Sequence, residues 1–140
     1  MNSIGLLQPL VALLVLSSVM WAWLYATRIP AMSKYKVELN PTLTTDELSS
    51  QLPHNVRWKA DNYNHLMEQP TLFYAVVLTL ALLGEANSIN VALAWGYVGL
   101  RTAHSVVQAV WNNIMLRFVL FSVASLALIA LIARAVMVVF

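Results

Sequence analysis

Arg101, His104 and Gln108 follow one another at intervals of three and four residues, so a helix carries them on one face. Asn64 and Glu68, four apart, share a face in the same way, and Arg117 stands a few residues inside the last apolar run. A guanidinium is permanently charged, and its planar fork matches a carboxylate or phosphate through two hydrogen bonds. The simplest ion pair joins Glu68 to Arg101 or to Arg117, which leaves one arginine without a carboxylate. A buried surplus of positive charge calls for an anionic guest. The plainer readings are an ion pair that bridges helices, and an Arg117 that reaches up to phospholipid headgroups.

Other chemistries find less support. His104 alone reads as a hydrogen-bonded packing residue, and histidines at 54, 65 and 104 have no metal-ligand spacing, so no metal is expected. The absence of cysteine removes disulfides, thiolate metal sites and a cysteine nucleophile. Ser105, Ser122 and Ser125 suit small-residue helix contacts, and no serine lies in a nucleophile-elbow sequence. Arg134 and Glu85 fall near the opposite membrane interface, where solvation accounts for them.

The elements that must position these residues follow from composition. Of 140 residues, 60% are hydrophobic and 10% charged, too little charge to cover a water-exposed domain of this size. Such a chain belongs in a bilayer, as one compact unit with its function inside the bundle. Its basic residues flank apolar segments without interleaved aromatics, which argues against nucleic acid as a partner.

A membrane helix needs about 20 mainly apolar residues to cross a hydrocarbon core of about 30 Å. Spans are expected at about 4–27, 58–84, 90–111 and 114–138, giving an all-α, four-helix transmembrane bundle with antiparallel neighbours in one domain, 1–140. Met1 to Gly5 contains no Lys or Arg and the first apolar run is too long for a signal peptide, so that run is read as a retained helix. The second span is the least tidy. Leu72 to Leu83 is short, and only extension back through Trp58 makes one long helix, kinked where Pro70 clashes with the carbonyl of Leu66. Pro30 is expected to stop the first helix just after Arg28. Thr44-Thr45-Asp46-Glu47 matches a capping box and marks a short surface helix near Leu48.

Five of the eight basic residues, Arg28, Lys34, Lys36, Arg57 and Lys59, lie between the first and second spans, and residues 84–90 hold none. By the positive-inside rule the first connection is cytoplasmic and both termini lie opposite. Trp21, Trp23, Trp58 and Trp111 sit at the same interface, as an aromatic belt would. At a rise of about 1.5 Å per residue from the far side, Arg101 lies roughly 15 to 18 Å deep, His104 about 21 Å, Glu68 about 24 Å and Arg117 about 30 Å. Three helices thus bring polar groups to one band in the cytoplasmic half.

Two stretches carry a family resemblance. Asn64-His65-Leu66-Met67-Glu68-Gln69-Pro70 continuing into Leu72-Phe73-Tyr74, and Arg101-Thr102-Ala103-His104-Ser105 followed by Asn113 and Arg117, resemble the MAPEG family, the membrane-associated proteins in eicosanoid and glutathione metabolism. The resemblance implies a homotrimer whose active sites, in enzymatic members, lie between subunits and bind glutathione from the cytosolic side. It implies Asn64 and Glu68 as holders of the tripeptide and Arg117 as the cation that stabilises the thiolate, with Arg101, His104 and Asn113 completing the glutathione site. Asn64 and Glu68 are four apart where the eicosanoid branch commonly has three, and Gln108 stands where that branch often has tyrosine, so the sequence looks closer to the bacterial branch and its inner membrane.

The function expected is therefore a glutathione-dependent transferase or peroxidase, with glutathione as co-substrate and a lipophilic electrophile entering from the bilayer. The rival is a non-catalytic membrane protein that binds lipid between subunits or serves a larger complex. A small transporter is disfavoured, because the spans show neither a repeated half nor discontinuous helices.

Overall fold

The computed structural model describes residues 3–140; Met1 and Asn2, part of the N-terminal stretch read above for charge, lie outside the described residues. The chain is helical throughout its regular structure, with α1 Ile4–Lys34, α2 Thr45–Ser50, α3 His54–Leu66, α4 Pro70–Leu82, α5 Ser88–Val110 and α6 Ile114–Val139. α1 packs on α3, α4 and α5, and α6 packs on α5 and α4. α1 and α6 are each long and apolar enough to cross a membrane. The apolar core gathers Leu6, Leu13, Leu66, Phe73, Leu80 and Leu131 from four of these helices. Gly5 permits the close approach of α1 to α5, since a Cβ there would lie 3.1 Å from Val91 Cγ2.

Two prolines behave differently from expectation. Pro30 does not stop α1, which runs on to Lys34 with Pro9 and Pro30 both inside it. In a membrane helix the backbone has no better partner than its own turns, so one lost amide does not end the run. At 31 residues α1 is about 46 Å long, beyond the hydrocarbon core at one end or both.

Pro70, by contrast, does not kink one long helix over 58–84. It starts α4, at the position where a missing amide costs nothing, while Met67–Gln69 form a turn that separates α4 from α3. α3 itself begins at His54 instead of Trp58.

The turn is tied down by Gln69, whose Nε2 donates to Ser125 Oγ of α6 at 2.9 Å while its Oε1 accepts from Tyr97 of α5 at 3.1 Å. One amide thus fixes the position of the α3–α4 junction against two other helices.

The ends are set by local chemistry. Thr44 and Glu47 form the full capping box of α2, as its sequence predicts. α4 closes in a Schellman turn, with Gly84 at φ 75° and the Glu85 amide donating to the Leu80 carbonyl at 2.8 Å. The adjoining loop is more organised than solvation alone requires. Arg134 of α6 donates to the side-chain oxygens of Asn90 and, at 3.3 Å, Asn87, while Asn90 Nδ2 donates to the Glu85 carbonyl at 2.8 Å and Asn87 Nδ2 to the Glu85 carboxylate at 3.1 Å. This mesh pins the α4–α5 loop to α6 and corrects the reading of Arg134 and Glu85 as merely solvated.

Candidate functional site

α3 and α5 meet at a buried polar cluster. Arg101 of α5 is fully buried, and its Nη2 donates to Nδ1 of His65 on α3 at 2.9 Å and to the His65 carbonyl at 3.3 Å. Arginine can only donate, so His65 Nδ1 is the acceptor and the His65 proton resides on Nε2. His104, one turn beyond Arg101, stacks on His65 with ring centroids 4.9 Å apart and planes inclined by 21°. Phe121 of α6 closes the group, edge-on to His65 at 5.2 Å and 5.8 Å from the Arg101 guanidinium. A cation over an aromatic face gains electrostatic attraction that partly offsets its lost hydration.

Beside this cluster lies a cavity of about 220 Å³ lined by His65, His104, Ile114, Arg117, Phe118 and Phe121. One wall offers imidazole and guanidinium groups; the other is aliphatic and aromatic. Phe118 and Ile114 are largely exposed on the outer surface of α6, so the apolar wall continues to that surface.

Arg117 is held by the α5–α6 turn. Asn112 takes φ 51°, a left-handed conformation that asparagine tolerates better than most residues, and its amide donates to the Val107 carbonyl at 2.7 Å. Its side-chain oxygen accepts from Arg117 Nη1. Asn113, next along, caps α6 by accepting from the Leu116 amide at 3.0 Å. The turn therefore both reverses the chain and aims the arginine.

The residues expected to form the site do not all converge within one protomer. His104 and Arg117 share the cavity, and Arg101 stands behind it through His65. Asn64 and Glu68 lie instead on the exposed side of α3 and the following turn, in line with Asp61 at intervals of three and four. Glu68 pairs with neither arginine; their side-chain partners are His65 and Asn112. Its carboxylate makes no direct contact with either, although its charge is felt at Arg101 and His65. Asn113 acts as a helix cap.

His65 and Phe121 were missed as site residues. Spacing tests His65 only as a metal ligand, yet a buried arginine on α5 needs an acceptor, and an imidazole nitrogen one helix away can supply it. Asn112 gave a second signal, as a polar residue in a tight turn one helical turn before an arginine.

The sequence model of the MAPEG family matches residues 6–137, nearly the whole chain. The chain belongs to the MAPEG family. Comparisons with curated proteins and with solved structures returned no significant match. Membership agrees with the helical fold and the two apolar helices α1 and α6, and makes this an integral membrane protein.

Proposed function

We propose that this MAPEG protein is a glutathione-dependent transferase or peroxidase acting on a lipophilic electrophile, assembled as a homotrimer in a bacterial inner membrane with its first loop cytoplasmic. The observation that carries the reading is the cavity in which Arg117, with no carboxylate partner among the described residues, faces an aromatic wall continuous with the exposed apolar surface of α6. A guanidinium beside a thiol lowers its pKa from about 8.5 and so supplies thiolate at neutral pH. The apolar wall suits an electrophile arriving through the bilayer.

The exposed line of Asp61, Asn64 and Glu68 supports assembly. Polar groups inside a span seek protein or water in place of lipid, and a neighbouring copy covers them while bringing Asn64 and Glu68 to its own or a shared glutathione site. Asn64 and Glu68 then bind the tripeptide, and Arg101 and His104 shape the pocket behind the sulfur.

A second reading, a lipid-binding protein without turnover, is favoured by the apolar groove of about 610 Å³ along α5 and α6, lined by Leu93, Gly96, Leu100, Val123 and Leu126 among others. One experiment separates the two. Millimolar glutathione raises the melting temperature of the purified protein and Arg117→Ala abolishes the shift if the first holds; an unshifted melting curve with co-purifying lipid supports the second.

A further inference from the structure

Buried polar side chains accumulate on one face of α5 with atoms that have no hydrogen-bond partner among the described residues. Arg101 has no acceptor for Nε or Nη1, His104 none for Nδ1, Ser105 no partner for Oγ and Gln108 none for Oε1. These four residues are spaced i, i+3, i+4 and i+7, and all are at most 3% exposed. On α3, which packs on α5, Asn62 is fully buried with both amide atoms unpartnered.

The helices run antiparallel here. His65 lies level with Arg101, so Asn62, one turn back along α3, lies level with the stretch of α5 beyond His104. On α5 the orphaned atoms follow one face, from the Arg101–His65 contact toward the Trp111 end of that helix.

Ordinary helix chemistry does not account for the line. Ser17, Thr79, Thr102, Ser122 and Ser125 each turn their hydroxyl back to the carbonyl four residues earlier, the usual refuge for a hydroxyl in an apolar helix. Ser105 does not, although the same carbonyl is within its reach in any helix. A dry row of five such residues would cost free energy comparable to the whole stability of a small domain. Buried polar groups in folded proteins are satisfied by protein or by ordered water, and five residues whose side chains bring both donors and acceptors offer water the two to four partners it needs.

We propose that α3 and α5 enclose a file of water along Asn62, Arg101, His104, Ser105 and Gln108, which links the His65–His104 pair at the cavity to the aqueous phase at the Trp111 end. Its guest is water; the fixed charge of Arg101 repels cations.

The natural absence of cysteine makes the test direct. Ser105→Cys and Gln108→Cys proteins in lipid nanodiscs are treated with methyl methanethiosulfonate, whose sulfur a cysteine thiolate attacks with loss of methanesulfinate, so that modification needs water around the thiol to ionise it. Ala94→Cys and Ala124→Cys, fully buried in the apolar core, serve as controls. Modification of the first pair at least tenfold faster than the controls supports the water file; equal rates overturn it. Radiolytic hydroxyl labelling of the unmodified chain covers the case of variants that do not fold. Labelling of fully buried Arg101 while fully buried Phe73 stays unlabelled supports the file, and protection of both overturns it.

Discussion

The imidazoles of His65 and His104 lie nearly parallel, 4.9 Å apart, with Arg101 bonded to one of them and the Arg117 cavity against both. Two rings from different helices thus form the joint between a buried cation and an accessible one. The bond from Arg101 fixes the His65 tautomer, and stacking fixes His104 relative to it. The pair has a structural cost and a chemical use, and they can be measured separately.

His65→Leu removes an acceptor from a buried guanidinium and is expected to destabilise the protein by about 1–3 kcal/mol. His65→Asn, which keeps an acceptor, loses less. The double change His65→Leu with Arg101→Leu recovers part of the loss, because no donor is then left stranded. Thermal denaturation in one detergent gives all four values, and a double variant weaker than the sum of its singles would count against the bond.

Asn112 has two roles that substitution can part. Asn112→Gly keeps the left-handed turn and loses only the contact to Arg117, whereas Asn112→Ala also strains the backbone and costs about 1 kcal/mol more. Both free the Arg117 side chain. Melting temperatures separate the two costs, and under the proposed function both variants show weaker stabilisation by glutathione.

Arg117→Ala is expected to lower turnover with glutathione and a lipophilic electrophile at least tenfold, with Arg117→Lys retaining part of it because a cation remains near sulfur. The thiolate absorbance of the glutathione complex, followed against pH, should shift upward by one unit or more in Arg117→Ala. Unchanged absorbance with lowered turnover would assign Arg117 to binding the electrophile.

The capping box of α2 makes a pH prediction. The amide and hydroxyl of Thr44 donate to the Glu47 carboxylate and hold its pKa below the ordinary 4.5. A depressed folded-state pKa means stability that is fully present above the ordinary value and fades as pH falls through the folded one. Amide exchange in Thr45–Ser50 should therefore show lost protection below about pH 4, after correction for intrinsic rates, with no such step in Glu47→Gln.

The sequence showed much of the frame and little of the joint. Hydropathy locates α1 and α6, and the i, i+3, i+7 pattern of Arg101, His104 and Gln108 marks the buried face of α5. It missed the break at Met67–Gln69, because periodicity continues across a short turn and Pro70 is equally compatible with a kink or a helix start. Charge matching chose Glu68 for the arginines, since a carboxylate outranks an imidazole at equal distance. Distance was not equal, and it is a tertiary quantity that spacing along one chain does not contain. Asn64 and Glu68 were grouped with Arg117 by resemblance; within one protomer they face outward.

The shortness of α4 has a consequence within the bilayer. Thirteen residues rise about 20 Å, so a turn beginning at Met67 comes about 10 Å short of a full hydrocarbon crossing. Glu68 then falls within hydrocarbon depth, where under the proposed function a neighbouring copy, and not lipid, covers it. A chain separated from its neighbours would leave that carboxylate facing acyl tails, so dilution in detergent or lipid is expected to cost this protein stability.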